Sequence, residues 1–201
     1  MNDKIKKRIR GIFIKNNGYA RSKELVQNGI NPYYINNLEN EGYIIRVSWG
    51  LYKWNEDDFQ YTNEIYEIYR IIPKGVICLT SALAFHELTT YNPWHYQVAI
   101  ERNKKVAIPE YPPIKLVFFT QSFYELGITE VKKEGHKIRV YDLEKTICDC
   151  IRYRNKIGPE LVKEGMNEYM KRKDRNLSKL IMYAQKCKVE RKVKEYLEVL
   201  I

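Results

Sequence analysis

The stretch from Ile30 to Trp54, INPYYINNLENEGYIIRVSWGLYKW, changes from helical to strand periodicity within 25 residues. Asn31-Pro32 is typical of a helix start, because asparagine caps a helix and proline suits its first position. The runs YIIRVS and LYKW are rich in β-prone residues and meet at Trp49-Gly50, which predicts a hairpin. A chain with this pattern must fold a short helix directly before two paired strands.

The predicted helix has two unlike faces. At about 100° per residue, its apolar side chains lie on one side and its uncharged polar side chains on the other. The apolar side contains Tyr34, Ile35 and Leu38, and the polar side contains Tyr33, Asn36, Asn37 and Asn40.

Two more helices are predicted upstream. Ile5, Ile9, Ile12 and Phe13 have the spacing of one buried helical face, and Ser22 is expected to cap the short helix SKELVQNG. Helix, helix, turn, helix, hairpin is the order of a winged helix-turn-helix. We therefore expect a DNA-binding domain of this type over residues 1–56.

The remaining residues predict a second domain over 60–201. The acidic run Asn55-Glu56-Asp57-Asp58 is expected to form the boundary. Strand-like runs and helical spacing then indicate a mixed α+β domain with a helical C-terminal tail, so the fold class is α+β. The particular expectations are a helix capped by Thr80 or Ser81, a hairpin turn at Glu134-Gly135, a helix running from its cap at Asp142 to Gly158, a helix starting at Pro159, and helices over 177–186 and 189–200.

The net charge of +10 is unevenly distributed. Residues 1–54 carry 10 Lys/Arg and 4 Asp/Glu, or +6; residues 55–150 carry 11 and 14, or −3; residues 151–201 carry 14 and 7, or +7. Clustered positive charge favours binding to phosphate backbones. No apolar run of about eighteen residues suggests a membrane span, so a cytoplasmic protein is expected.

Catalytic motifs are absent from the sequence, and no enzymatic activity is expected. It contains no phosphate-binding glycine loop and no H-E-x-x-H. A metal-dependent nuclease remains an open alternative, although Asp142 is explained as a helix cap. Its site would be formed by the acidic and basic residues Asp142, Glu144, Lys145 and Asp149. The four cysteines lack zinc-site spacing and are expected to be buried thiols, so no metal or cofactor is predicted.

The DNA-binding prediction depends on the first 54 residues. Asparagine can bond adenine in the major groove, and basic residues at a helix start can hold phosphates. The alternative is a winged helix that binds protein, with a solvated asparagine face. The candidate DNA-binding residues are Arg21, Ser22, Lys23, Asn31, Tyr33, Asn36, Asn37, Asn40, Arg46 and Trp49.

Nearly the whole chain resembles a known family. GYARSKELVQNGINPYYINNLENEGYIIRVSWGLYKW is similar to the N-terminal winged helix of AbiEi-type antitoxins, and VYDLEKTICDCIRYRNKIG is similar to their C-terminal domain. The resemblance implies the antitoxin and transcriptional autorepressor of a type IV, abortive-infection toxin–antitoxin system. Its partners would be inverted repeats in its own promoter and a nucleotidyltransferase-like toxin, neutralised without a stable complex. Arg102 departs from the pattern, because proline often follows the isoleucine of YQVAIE in that family.

Several expectations remain open beside the resemblance. A stand-alone regulator that responds to a ligand or partner is the alternative function. The chain shows no dimerisation pattern, so a monomer is expected on each half-site. A second DNA-binding face, or an antitoxin surface, could be formed by the basic residues Lys145, Arg152, Arg154, Lys156, Lys171, Arg172, Lys173 and Arg175.

Overall fold

The computed structural model describes residues 3–55, 64–133 and 136–200. Residues 3–54, called the N-terminal unit below, contain three helices and one antiparallel sheet of strand order β1-β3-β2. The helices and the hairpin lie where the sequence predicts them, whereas β1 is absent from that prediction. The elements are α1 (Asp3–Lys15), β1 (Tyr19–Arg21), α2 (Ser22–Gln27), α3 (Pro32–Asn40), β2 (Ile44–Ser48) and β3 (Leu51–Trp54).

The N-terminal unit has a hydrophobic core of its own. Ile9 and Phe13 of α1 are buried against Leu25, Leu38 and Trp54. The Phe13 and Trp54 rings meet edge to face with their centroids 5.2 Å apart. The spacing of apolar residues in α1 and α3 therefore predicts the core side of each helix correctly.

Residues 64–200 build a five-stranded mixed sheet of order β6-β5-β4-β8-β7, flanked by helices. In it, β4 pairs antiparallel with β5 and parallel with β8. The elements are α4 (Glu64–Ile71), β4 (Val76–Ile77), α5 (Leu79–Phe85), β5 (Tyr96–Glu101), β6 (Ile114–Phe119), α6 (Gln121–Glu125), β7 (Ile128–Lys133), β8 (His136–Tyr141), α7 (Leu143–Arg152), α8 (Arg154–Ile157), α9 (Pro159–Lys171), α10 (Leu177–Lys186) and α11 (Glu190–Leu200).

The two faces of this sheet belong to different hydrophobic clusters. Successive strand residues point to opposite faces. Accordingly, Ala99 joins a cluster formed with the C-terminal helices, whereas Val98 and Ile100 join a cluster that contains Ile68 and Ile72 at α4. The sheet thus separates the helical tail from the side on which α4 and the N-terminal unit lie.

The α+β class and the helical C-terminal tail are confirmed. The predicted cap at Thr80 or Ser81 is wrong, because α5 begins at Leu79 and both residues lie inside it. Instead, Gln97 Oε1 accepts hydrogen bonds from Thr80 N at 2.8 Å and from Thr80 Oγ1 at 2.7 Å. The helix that starts after Asp142 is also interrupted at Tyr153 rather than continuous to Gly158.

Two sequence predictions fall outside the described residues. The boundary at residues 55–58 lies there except for Asn55, and so does the predicted turn at Glu134-Gly135. The strands on either side of that turn, β7 and β8, pair antiparallel.

Helix α4 connects the N-terminal unit to the sheet. Glu67 Oε1 accepts hydrogen bonds from the Tyr19 hydroxyl at 2.6 Å and from Lys53 Nζ at 2.9 Å. The Arg21 guanidinium donates to the Arg70 carbonyl, and the Arg70 guanidinium donates to Asn16 O at 3.2 Å. A buried carboxylate and two arginines therefore join α4 to β1, β3 and the α1–β1 turn.

Candidate nucleic-acid interface

Helix α3 presents its polar edge to solvent. Asn31 caps the helix as predicted, with its side-chain oxygen accepting from Tyr33 N at 2.9 Å. Ile35 and Leu38 are buried, whereas Tyr33 is 64% exposed. Of the asparagines on that edge, Asn36 and Asn40 are exposed and Asn37 is half-buried. Amide groups on this edge are available to a partner outside the chain.

The β2–β3 hairpin carries an exposed aromatic side chain at its tip. Trp49 at the tip is 86% exposed. Gly50 has a positive φ of +68°, a backbone angle that residues other than glycine rarely adopt. A Cβ atom at this position would lie 2.8 Å from Ser22 Oγ. The hairpin turn therefore depends on glycine for both its backbone conformation and its close approach to α2.

Arg46 links the hairpin to α3. Its guanidinium donates to Glu39 Oε2 at 2.9 Å and lies 5.4 Å from the Tyr52 ring centroid. The hydrogen bond with Glu39 raises the pKa of Arg46. The pair is half-exposed, so a phosphate group can approach Arg46 only in the presence of the Glu39 carboxylate.

The start of α2 differs from the prediction. Ser22 is the first residue of the helix and does not cap it, because Arg21 occupies the cap position and makes no side-chain cap bond. The Ser22 hydroxyl instead donates to Gly50 O at 3.2 Å. The Arg21 guanidinium bonds Arg70 O, whereas Lys23 is exposed. Of these three predicted phosphate contacts, Lys23 alone is exposed at the start of α2.

The basic residues proposed for a second face divide into buried, bonded and exposed groups. Lys145 is fully buried, so the prediction that it contributes to a surface is wrong. Arg152 donates to Cys187 O at 2.8 Å and lies over the Phe123 ring. The remaining members are half-buried or exposed: Arg154 and Arg172 are half-buried, and Lys156, Lys171, Lys173 and Arg175 are exposed.

Several of these residues also bond within the chain. Lys171 forms an exposed ion pair with Glu168, and Arg172 bonds Asp174 through two nitrogens at 2.8 Å. Arg154 and Arg175 donate to the carbonyl oxygens of Ile151 and Arg172, respectively.

The carboxylates that a metal-dependent nuclease would use here form contacts with basic and hydroxyl groups of the chain. Lys179 Nζ lies 3.0 Å from both Asp142 Oδ2 and Glu144 Oε2, so an ammonium group stands between them. Partial burial lowers the pKa of Lys179, but the hydrogen bonds to both carboxylates outweigh it and raise the pKa to about 12. Glu144 also accepts from the Tyr169 hydroxyl at 3.1 Å. Asp142 caps α7 as predicted, by accepting from Lys145 N.

The four thiols are buried and His86 is half-buried. All four cysteines are free and buried, which confirms the sequence prediction. His86 Nε2 lies 2.6 Å from Tyr141 O, and burial lowers the pKa of His86. Among the residues that the structure describes, no group of three or more His, Cys, Asp or Glu side chains is placed to hold a metal ion.

No helix within the described part of the chain is long and apolar enough to cross a membrane. Comparison with protein-family models and with curated proteins finds no match for this chain.

Proposed function

We propose that the N-terminal unit is a winged helix-turn-helix that binds double-stranded DNA, with α3 as the recognition helix and the β2–β3 hairpin as the wing. The observation that carries this proposal is the division of α3. Ile35 and Leu38 are buried in the core, whereas Tyr33, Asn36 and Asn40 form an exposed uncharged edge. A recognition helix needs such an edge, because amide groups bond base edges in the major groove.

The surrounding residues support the same assignment. Lys23 is exposed at the start of the preceding helix, where a phosphate is favoured by the helix dipole. Trp49 extends from the hairpin tip, and Arg46 lies beside the exposed edge of α3 through its pair with Glu39. A wing with these side chains contacts the DNA backbone or the adjacent minor groove.

The wider role follows the resemblance to AbiEi-type antitoxins. The chain would repress its own operon through the N-terminal unit and neutralise a nucleotidyltransferase-like toxin through residues 60–201. It would act in the cytoplasm, as a non-enzymatic monomer on each half-site.

DNA binding is tested by fluorescence anisotropy with the DNA upstream of the gene and with a scrambled duplex of equal length. We expect tighter binding to the upstream DNA, and footprinting should protect inverted repeats. Equal affinity for both duplexes would contradict sequence-specific repression.

Antitoxin activity is tested by co-expression with the adjacent gene. A nucleotidyltransferase-like product that arrests growth should be neutralised by the full chain. A Tyr33→Ala/Asn36→Ala variant should keep neutralisation but lose repression, because the two activities belong to different parts of the chain. Growth arrest that the full chain does not relieve would reject the antitoxin role and leave a stand-alone regulator.

A further inference from the structure

A cleft of about 450 Å³ lies where the end of α4, the sheet and β1 meet. Its residues come from four separate segments: the end of β1, the α4–β4 turn, the end of β5 with the loop that follows it, and α6. The volume lies within the range of small-molecule sites, about 300–1,000 Å³.

The floor of the cleft is aliphatic. Ile71, Ile72 and Ile100 are buried members of the cluster under α4, and Val106 packs against the same cluster. Tyr124 adds an aromatic ring to the wall, and its hydroxyl accepts from Arg139 Nη1 at 3.3 Å. Such a floor has no hydrogen-bonding side chain and favours an apolar group over water.

The rim of the cleft is basic. Lys74, Lys104 and Lys105 line it and are exposed, and Arg21 lines it from β1. Glu101 is the acidic residue among its lining residues. No described carboxylate forms an ion pair with any of these three lysines. Four cations and one carboxylate favour a ligand with more than one negative charge.

The register of the sheet brings this charge together. Strand β4 pairs antiparallel with β5 such that Val76 lies opposite Ala99. Lys74 lies two residues before Val76 in the α4–β4 turn and Glu101 lies two residues after Ala99 at the end of β5, so both reach the same end of the sheet. The turn after β5 is closed by a hydrogen bond from Lys104 N to Glu101 O at 3.0 Å, which places the Lys104-Lys105 pair above the aliphatic floor.

We propose that this cleft binds a nucleoside phosphate, with the base on the floor formed by Ile71, Ile100 and Val106 and the phosphates at the rim formed by Lys74, Lys104 and Lys105. A duplex DNA backbone fits less well, because its convex phosphate surface cannot reach a buried aliphatic floor. The proposal does not depend on DNA binding by the N-terminal unit.

The test uses isothermal titration calorimetry on the full chain with ATP and GTP as probes, in buffer without divalent cations. Two further compounds separate the parts of the ligand. Adenosine supplies the nucleoside without phosphates, and inorganic triphosphate supplies the phosphates without a nucleoside. The variant is Lys104→Ala/Lys105→Ala, which removes two exposed ammonium groups and leaves the core intact. The charge-matched control is Lys132→Ala/Lys186→Ala, which removes two exposed lysines from β7 and α10.

We expect at least one nucleotide to bind, and both adenosine and triphosphate to bind about tenfold or more weakly than that nucleotide. Lys104→Ala/Lys105→Ala should weaken nucleotide binding about tenfold or more, while the control variant should bind as the natural protein does.

Absence of nucleotide binding would overturn the proposal. Triphosphate binding as tightly as ATP would also overturn it, since the floor would then contribute nothing. Equal weakening in both variants would show a general charge effect and reject the site. DNA binding measured on the same samples is a separate readout, so failure of this proposal is distinguishable from failure of the proposed function.

Discussion

The Lys145 ammonium nitrogen lies 2.5 Å from Asp149 Oδ2 in the interior of the protein, and neither side chain is exposed. The two residues are one helical turn apart on α7. The ammonium also faces the rings of Phe119 and Tyr141, at 4.9 Å and 4.3 Å from their centroids. The second carboxylate oxygen, Asp149 Oδ1, has no hydrogen-bond partner among the described residues. Burying this charge pair costs desolvation free energy. The single hydrogen bond between the two charged groups offsets that cost only in part.

Removing one member of this pair should be more harmful than removing both. Lys145→Met leaves a buried carboxylate without its cation and should lower the free energy of unfolding at neutral pH by about 3–5 kcal/mol. Lys145→Met/Asp149→Leu replaces the pair by apolar side chains and should match the natural protein or exceed it by about 1–4 kcal/mol. Urea unfolding measures all three proteins, and a double variant as unstable as the single variant would contradict this account.

The same pair predicts a pH dependence of stability. Burial raises the pKa of Asp149 from 3.8 to about 6, although Lys145 opposes the shift. Below about pH 4 the carboxyl group is protonated in both folded and unfolded chains. As the pH rises from about 4 to 6, the unfolded chain ionises first, so the contribution of this group to stability falls; above about 6 it is constant.

This dependence is measured as the difference in unfolding free energy between the natural protein and Asp149→Asn. The natural protein should lose stability relative to the variant as the pH rises from about 4 to 6, and the difference should be constant above that range. Asp174→Asn is the control, because Arg172 lowers the pKa of Asp174, so this carboxylate is ionised in both folded and unfolded chains over the same pH range and the difference should be constant. A constant difference for Asp149→Asn would show that its pKa is not raised in the folded protein.

The sequence predicts correctly those helices whose capping residues and apolar spacing indicate the same element. Asn31-Pro32, Asp142 and Pro159 mark helix starts that the structure contains, and the helices of the tail follow the spacing of their apolar residues. By contrast, β1 has three residues and β4 has two, so neither is long enough to show strand alternation. Their positions depend on pairing with distant strands.

The site residues were predictable to a smaller extent. The exposed edge of α3 follows directly from angular spacing. The burial of Lys145 could not be expected from its charge, because lysine is almost never fully buried unless it is paired. Its one signal was the aspartate four residues later. The cleft brings together residues as distant as Arg21 and Tyr124, so no local pattern reveals it.

An alanine at position 36 should change DNA specificity at one base pair. Asn36 is exposed on the polar edge of α3, where its amide can bond an adenine. Asn36→Ala should weaken binding to the operator with the preferred base at that position by about 1–3 kcal/mol. It should change binding to operators with the other bases little. Anisotropy titrations with singly substituted operators measure the profile. Asn92→Ala, which removes an exposed amide from the loop between α5 and β5, should leave binding to every operator unchanged, and a uniform loss for Asn36→Ala would reject base readout.

Arg46→Ala should instead weaken binding to all DNA sequences alike. In the proposed complex the Arg46 guanidinium would contact phosphates, which carry no sequence information. Losing one phosphate contact should reduce the slope of log affinity against log salt by about 0.9. Lys132→Ala removes an exposed charge from β7 and should leave the slope unchanged. An unchanged slope in Arg46→Ala would place the Arg46–Glu39 pair outside the DNA contact.

Glu67 should stabilise the junction between α4 and the N-terminal unit. Its Oε1 accepts from the Tyr19 hydroxyl and from Lys53 Nζ, and hydrogen bonds to a charged group contribute about 1.5–3 kcal/mol each. Glu67→Ala should therefore lower the free energy of unfolding by about 3–6 kcal/mol and reduce hydrogen-exchange protection in both α4 and β3. Glu168→Ala removes an exposed pair with Lys171 and should have little effect. If Glu67→Ala lowers protection in α4 alone, its bonds to Tyr19 and Lys53 do not hold the N-terminal unit to the sheet.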